Sequence, residues 1–288
     1  MSLPSTVRRA LFVLAFVASC VGASRVQAHG DVHERIIALT AQLRTNSANP
    51  ELWLQRADLH RQHGDFDAAQ TDLDRAVQLK PKWAGAELQQ ARIAFDREKF
   101  PTAVRAAGDC LTLEPANADA LVLRARSLVH LEQWSPAIAD YDAVLNRTNA
   151  ARLLPDLFLE RARAQAALGK FDDAVRGLDD AMRQLGETPS FALPAIEYER
   201  QRGAFAAALA RLERAGKFFD RENFLALHGE ILLQAGRPAE AANDFSAALA
   251  ALEKFSRARR ALPAVVDLEA RLRAGLKQAK VLPSHPNP

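Results

Sequence analysis

The chain has 288 residues, of which 49% are hydrophobic and 25% charged, an ordinary composition for a folded protein. Lys and Arg outnumber Asp and Glu by three, and Arg8, Arg9 and Arg25 supply that surplus within an acid-free N-terminal stretch. The remaining chain is balanced, with 35 basic and 35 acidic residues. Composition therefore gives no basis for a nucleic-acid partner, and we expect none.

Residues 1–28 have the organisation of a secretory signal. Arg8 and Arg9 precede an apolar stretch at 10–18, and the small residues Val26 and Ala28 suit cleavage before residue 29. The apolar stretch is too short for a membrane-spanning helix, which needs about 20 residues. We expect a periplasmic or secreted protein with no transmembrane helix in its mature form.

A second interpretation of the same region stays open. Residues 17–20, Val-Ala-Ser-Cys, resemble a bacterial lipobox, in which Cys20 would become a lipidated N-terminus. In either case Cys110 is the one cysteine left in the folded part, so an intrachain disulfide is excluded there. Cys110 falls at a packing position, and we expect it to be a small buried hydrophobe.

Residues 29–49 form an N-terminal segment with one predicted helix, His33 to Arg44. Its apolar residues are spaced along one face, and they are Ile36, Ile37, Leu39 and Leu43. We expect this helix to cap the open end of the array that follows.

A unit of 34 residues then recurs in near-constant register. The units are 50–83, 84–117, 118–154, 155–188, 189–221 and 222–255. Every unit has alanine at its twentieth place: Ala69, Ala103, Ala137, Ala174, Ala208 and Ala241. Apolar residues at offsets of three and four predict two amphipathic helices per unit, that is, a helical hairpin.

The junction between the two helices has its own signal. Glycine stands there in four units, as Gly64, Gly169, Gly203 and Gly236, where a left-handed residue ends the first helix. Glu98 and Glu132 take this place in units two and three. If they keep the left-handed conformation, each stores about 1 kcal/mol of strain.

The best-preserved unit contains Trp53, Ala57, Gly64, Phe66, Ala69, Leu73, Ala76 and Pro81. This pattern resembles the tetratricopeptide repeat family, over roughly residues 50–255. The resemblance implies an all-α, right-handed superhelical solenoid of about six hairpins with N- and C-terminal capping helices. Units five and six depart from the pattern, through Pro194 inside a first helix and Pro238 in place of an aromatic residue.

The C-terminal part is predicted to close the array. Residues 239–260 favour one long second helix, and Pro263 is suited to open another helix that ends near Lys280. We assign 256–280 to a C-terminal capping helix and the proline-rich stretch 281–288 to a disordered tail.

The resemblance also implies a concave groove lined by the fifth and ninth places of the first helices. Arginine recurs at the ninth place in Arg92, Arg126 and Arg163, and apolar residues recur at the fifth in Leu88, Val122 and Leu159. Guanidinium groups beside exposed apolar side chains suit a peptide partner with acidic groups. The alternative is a solvated face whose arginines pair with Asp119, Asp156 or Glu160.

Other chemistry has weaker support. After cleavage, His29 and His33 could chelate a transition metal, whereas His60 and His63 fit core or surface positions better. No enzyme motif is present, and the carboxylate pairs at 72/74, 172/173 and 179/180 are expected to face solvent. We therefore predict neither enzymatic activity nor a cofactor.

Together these features predict a non-catalytic protein-interaction scaffold in the bacterial envelope that binds a peptide or protein in its concave groove. Two alternatives stay open: a metal-handling accessory protein that uses His29 and His33, and an envelope assembly factor anchored through Cys20.

Overall fold

The computed structural model describes residues 32–147 and 155–282, and throughout these ranges the regular structure is helical. A first helix, α1, covers 32–45. The helices that follow are α2 (Pro50–His63), α3 (Phe66–Leu79), α4 (Ala84–Asp96), α5 (Phe100–Leu113), α6 (Ala118–His130), α7 (Trp134–Leu145), α8 (Pro155–Ala167), α9 (Phe171–Leu185), α10 (Pro189–Gln201), α11 (Phe205–Ala215), α12 (Arg221–Gln234), α13 (Pro238–Glu253), α14 (Arg257–Arg260) and α15 (Pro263–Val281). The prediction of an all-α chain of helical hairpins is confirmed.

The described residues form two compact units, one ending at Pro136 and the other beginning at Ala137, so that their boundary falls inside α7. In the first unit α2 packs on α3, α4 packs on α5, and α4 and α5 both contact α6. In the second, α8 packs on α9, α10 on α11, and α12 on α13.

The alanines at the twentieth place explain the close packing of these helices. All six are fully buried, with 0% of their surface exposed. A side chain this small lets neighbouring helices approach until their backbones nearly touch. The periodic alanine is therefore a packing requirement.

The hairpin junctions adopt the predicted left-handed conformation. Gly64 has φ +85°, and Gly169, Gly203 and Gly236 have φ between +71° and +77°. Glu98 and Glu132 keep the same conformation with φ +57° and +56°, although they have a Cβ. The expected strain of about 1 kcal/mol thus applies at both glutamates.

The hairpin of unit one and the hairpin of unit six each contain an ion pair between their own two helices. Arg56 of α2 donates two hydrogen bonds to the Asp72 carboxylate of α3, at 2.6 and 2.7 Å. At the same places of unit six, His228 Nδ1 lies 2.6 Å from Asp244 Oδ2. Asp72 is only 3% exposed, so the prediction that it faces solvent is wrong, because Arg56 crosses the hairpin to neutralise it.

Arg56 also attaches α1 to the array. Its Nη1 donates a hydrogen bond of 2.9 Å to Thr40 Oγ1, and Leu43 of the same helix is buried. The N-terminal helix is therefore held by a specific polar contact as well as by apolar packing.

A buried ionic cluster ties three helices of the second unit together. Arg211 of α11 donates to Glu199 of α10 at 2.7 and 3.0 Å, and to Asp179 of α9 at 2.6 Å. Burial lowers the pKa of Arg211, but its hydrogen bonds to the two carboxylates outweigh burial and raise it. Asp179 is half-buried in this cluster, which corrects the expectation that it faces solvent.

The C-terminal end differs from the prediction at one point. The long helix expected over 239–260 is interrupted after Glu253, and the Ser256 hydroxyl accepts from the Arg259 backbone N–H to begin α14. Pro263 opens the last helix as predicted, and α15 packs on α12 and α13. A Cβ on its Gly275 would lie 2.7 Å from the Phe245 ring, so the glycine permits this contact.

Several predictions lie outside the described residues, namely the leader at 1–28, His29 and most of the tail. Within the described ranges, no helix combines the length and apolarity needed to cross a bilayer.

Candidate functional site

A groove with a volume of about 470 Å³ lies in the first unit, beside two of the residues predicted from the sequence. Leu88 and Arg92, one helical turn apart on α4, both line it. The other lining residues come from α1 (Arg35, Ala38, Leu39), from α2 (Leu54, Gln55, Asp58, Leu59) and from α4 (Gly85, Gln89). We call this concavity the first-unit groove.

The groove has an apolar wall with charged groups placed beside it. Leu59 and Leu88 are buried, whereas Leu39 and Leu54 are half-buried. Leu88 is only 8% exposed, so the expectation of a fully exposed leucine is wrong here. The leucines of α1 and α2 line the same concavity as Leu88. Leu88 is therefore more covered than it would be on the face of a single isolated hairpin.

Asp58 is the acidic group of the groove, and it is held within its own helix. It accepts hydrogen bonds from Arg61 at 3.0 Å and from Gln62 at 2.7 Å. Burial raises the pKa of Asp58, but the charge of Arg61, the hydrogen bonds from Arg61 and Gln62, and the nearby amide of Gln89 lower it overall. The carboxylate is therefore charged and already neutralised, so it is not open to a cationic ligand.

Arg92 forms an ion pair that takes little free energy to break. Its Nη2 lies 2.6 Å from Asp119 Oδ2, and the two side chains are 35% and 68% exposed. This contact is what the solvated-face alternative predicts for Arg92. Because an exposed pair contributes only about 0–1 kcal/mol, an incoming carboxylate can replace Asp119 with little loss.

Gln89 is the most unusual polar residue of the groove. Its side chain is 2% exposed, and within the described residues its Nε2 has no partner at hydrogen-bond distance. An amide nitrogen has two hydrogens, so even if one turned toward Asp58 the other would stay unbonded. A buried donor left in this state costs about 1–3 kcal/mol.

Arg35 adds a second donor from α1, one that solvent rather than a protein group occupies. It is exposed, and among the described residues no carboxylate lies within ion-pair distance of it. The two groups that lack partners are therefore both donors, and one of them is cationic. The first-unit groove is complementary to a ligand that brings hydrogen-bond acceptors or a negative charge.

The other predicted site residues lie elsewhere. Val122 and Arg126 are half-buried on α6 and do not line the first-unit groove. Leu159 and Arg163 are on α8 in the second unit, where Leu159 is half-buried and Arg163 exposed. The structure thus brings together one predicted pair, Leu88 with Arg92, and adds Gln89, Arg35 and Leu39, which the sequence analysis missed.

A second groove, of about 370 Å³, lies in the second unit between α10, α12 and α15. Its charged groups satisfy one another: Arg271 pairs with Glu230 at 2.7 Å, and Arg200 donates to Gln234 at 2.9 Å. Arg200 also bonds Glu197 at 3.0 Å. With its polar groups already paired, this groove is a weaker candidate than the first.

The histidines give limited support for a metal site. The rings of His33 and His63 have centroids 6.5 Å apart, and His29 lies outside the described residues. His60 is half-buried, 3.8 Å from Asp72. Across 32–147 and 155–282 no group of three or more potential ligands could hold a metal ion.

Comparison with known proteins relates this architecture to one family. Residues 50–93 and 88–152 each match a family model described as tetratricopeptide repeat. No curated protein matches the sequence.

Three solved structures share the fold. A tetratricopeptide repeat protein from Parabacteroides merdae is 18% identical, with a TM-score of 0.51, covering 85% of this chain and 93% of its own. The C-terminal part of a TPR repeat-containing protein from Cytophaga hutchinsonii is 12% identical, with a TM-score of 0.57, covering 89% and 92%. YrrB, described as a TPR protein with an unusual peptide-binding site, is 18% identical, with a TM-score of 0.54, covering 62% and 90%.

At these identities the likeness concerns the fold alone, whereas the family models match the repeats themselves. The helix pairs, the buried alanine of every unit and the left-handed hairpin junctions agree with both. Residues 50–152 are tetratricopeptide repeats, and the helical hairpins that follow them share the fold of tetratricopeptide repeat proteins.

Proposed function

We propose that this protein is a non-catalytic interaction scaffold that binds a peptide or protein segment in the first-unit groove. The tetratricopeptide fold supports a protein-interaction role in general. One observation supports this location: Nε2 of Gln89 is buried in the wall of an apolar concavity without a hydrogen-bond partner among the described residues. A ligand that supplies an acceptor there recovers part of the free energy that the free protein loses.

The lining residues indicate the chemistry of the ligand. Leu39, Leu54 and Leu88 offer an apolar surface for an aliphatic or aromatic side chain. Arg35 and Arg92 stand beside it and suit a carboxylate through charge-assisted hydrogen bonds. We therefore propose a partner segment in which an apolar residue lies next to an acidic group.

The volume of the groove agrees with a short segment. Its 470 Å³ falls within the range of about 300–1,000 Å³ typical of sites that enclose a drug-sized ligand. A longer partner would extend beyond it, and Arg126 of the same unit is the predicted residue to meet such an extension.

Photo-crosslinking in cells tests the location of the site. Gln55 is exposed and lines the groove, so a photoreactive residue placed there in the full chain is expected to capture the partner. The same residue placed at the exposed Arg105 of α5 is the control, and it is expected to capture much less. Equal capture at both positions would contradict a groove-specific partner.

Two double variants then separate the groove from the wider arginine series. Arg35→Glu with Arg92→Glu is expected to reduce capture about tenfold or more, with an unchanged helical circular dichroism signal and melting temperature. Arg126→Glu with Arg163→Glu is the comparison. Loss only in the second variant would move the site away from the groove, and loss in neither would refute the proposal.

We further propose that the scaffold acts in the bacterial envelope. The basic, apolar and small-residue segments of residues 1–28 support export. Mass analysis of the N-terminus of the native protein tests this: it should begin at His29, or at a modified Cys20 if the lipid-anchored alternative holds. An unprocessed Met1 would contradict both.

A further inference from the structure

A protruding basic segment joins α13 to α15, apart from either groove. Every residue from Ser256 to Ala264 is exposed, which makes nine consecutive exposed positions. Between residues 254 and 266 there are four basic residues and no acidic one, and the exposed Glu253 and Asp267 flank the stretch, which leaves two more basic than acidic residues over 253–267. We call this stretch the 254–266 segment.

Local contacts give this segment a defined shape. The Ser256 hydroxyl caps α14, and the Arg259 guanidinium lies 3.5 Å from the centre of the Phe255 ring. The same guanidinium is 3.3 Å from Glu222, which is mostly buried. Arg259 is thus occupied in holding α14 against α12.

The remaining cations are neutralised weakly or not at all. Lys254 and Arg257 are exposed, and neither has an ion pair within the described residues. Arg260 has only a 3.8 Å contact to Glu269, whose carboxylate also binds Arg273 at 2.7 Å. The segment therefore presents a net positive surface although the chain without its leader is neutral.

Two exposed aliphatic side chains adjoin these cations. Leu262 is 53% exposed and Val266 50%, and the backbone N–H of Val266 bonds the carbonyl of Leu262 at 3.0 Å, so they are one helical turn apart. Leu268 and Leu272, further along α15, are buried, so the helix does not need these two residues for its packing. Large exposed aliphatic groups beside arginines are typical of surfaces that insert shallowly into a membrane interface.

This combination favours a lipid surface over nucleic acid. Cations alone would serve either partner, but a nucleic-acid surface usually adds aromatic rings on which bases stack. The one aromatic ring here, Phe255, is covered by Arg259. Leu262 and Val266 have no role in contact with a phosphate backbone, whereas a bilayer interface would bury them.

We propose that the 254–266 segment docks on the surface of an anionic phospholipid bilayer. Lys254, Arg257 and Arg260 contact the phosphate groups, and Leu262 and Val266 insert among the headgroups. This role is independent of the ligand bound in the first-unit groove. It would hold the scaffold at a membrane without a transmembrane helix.

Vesicle flotation with the full chain tests this docking. Vesicles of phosphatidylcholine alone are compared with vesicles that also contain phosphatidylglycerol, and every variant has the same N-terminus, so any contribution of residues 1–28 is common to all. Each basic residue near an anionic surface strengthens binding about fivefold, so Lys254→Glu with Arg257→Glu is expected to weaken the phosphatidylglycerol-dependent binding roughly 25-fold or more. Lys99→Glu with Arg105→Glu changes the net charge equally at exposed sites in the first unit and should leave binding unchanged.

Two further measurements separate the apolar from the ionic contribution. Leu262→Ser with Val266→Ser is expected to weaken vesicle binding about tenfold, since both side chains would otherwise be buried among headgroups. Raising the salt to about 1 M, where the screening length is about 3 Å, should remove the phosphatidylglycerol dependence. Three outcomes would each overturn the proposal. The first is equal binding to neutral vesicles, and the second is no effect of Lys254→Glu with Arg257→Glu. The third is equally tight binding to DNA together with no effect of the serine variant.

Discussion

Replacing Gln89 with methionine tests the groove through folding and binding together. Methionine has a similar shape and no hydrogen-bond donor, so it fills the same space without an unpaired Nε2. A functional residue that is unfavourable in the free protein should show opposite effects on stability and on affinity. A residue that only packs should show no such opposition.

The magnitude follows from the surroundings of Gln89. Its 2% exposure and unpaired Nε2 correspond to a penalty of about 1–3 kcal/mol that methionine would relieve. Against this stands the loss of a weak interaction with Asp58, whose side chain is 31% exposed and therefore screened by solvent. We expect a net stabilisation of roughly 1 kcal/mol, which raises the melting temperature by about 2–4 °C in a chain of this size.

The assay pairs urea unfolding with partner capture, and the chain provides a matched control. Gln165 of the second unit is also buried, at 8% exposure, with an unpaired Oε1. Gln165→Met should stabilise the protein by a similar amount and leave binding unchanged, whereas Gln89→Met should reduce capture about tenfold. If Gln89→Met destabilises the fold by more than about 1 kcal/mol and leaves binding intact, then Nε2 has a partner in solution and the reasoning fails.

Three further predictions concern stability and reactivity. Glycine at Glu98 or Glu132 removes strain of about 1 kcal/mol but adds about 0.5–1 kcal/mol of unfolded-chain freedom. Urea unfolding should therefore show a gain in stability of up to about 0.5 kcal/mol per site, and a clear loss would show that the turns are relaxed. Arg211→Met leaves the buried carboxylate of Glu199 without its cationic partner and should lower the free energy of unfolding by about 3–5 kcal/mol. Adding Glu199→Leu should recover most of this loss. A single variant with nearly unchanged stability would contradict a buried cluster. Cys110 is fully buried, and burial raises the pKa of its thiol, so its peptide should be labelled by a thiol reagent only as fast as the chain unfolds; rapid labelling of the folded protein would contradict this.

The features that the sequence predicts well are those that repeat. The alanine at the twentieth place and the residue at the hairpin junction recur in every unit, so periodicity fixes their roles without long-range information. Even the left-handed conformation of Glu98 and Glu132 follows, because they stand where other units have glycine.

The features that the sequence misses depend on contacts outside the period. Helix α1 precedes the repeats, so no register relates Arg35 and Leu39 to the groove, and the bond from Arg56 to Thr40 that places them is visible only in three dimensions. Asp72 looks solvent-facing on a helical projection, yet a side chain from the partner helix covers its charge. No proline or glycine stands at the helix break after Glu253. The local sequence signal for a new helix there is Ser256, a favourable N-cap residue.

The contribution of α1 to the first-unit groove has a practical consequence for dissecting the protein. The repeat period suggests Pro50 as the natural place to cut, and a fragment beginning there would keep the hairpins of its first unit. It would nevertheless lose Arg35, Ala38 and Leu39, one wall of the groove, together with the hydrogen bond from Arg56. Such a fragment could fold well and still fail to bind, and a negative result from it would be mistaken for evidence that the concave face is inert.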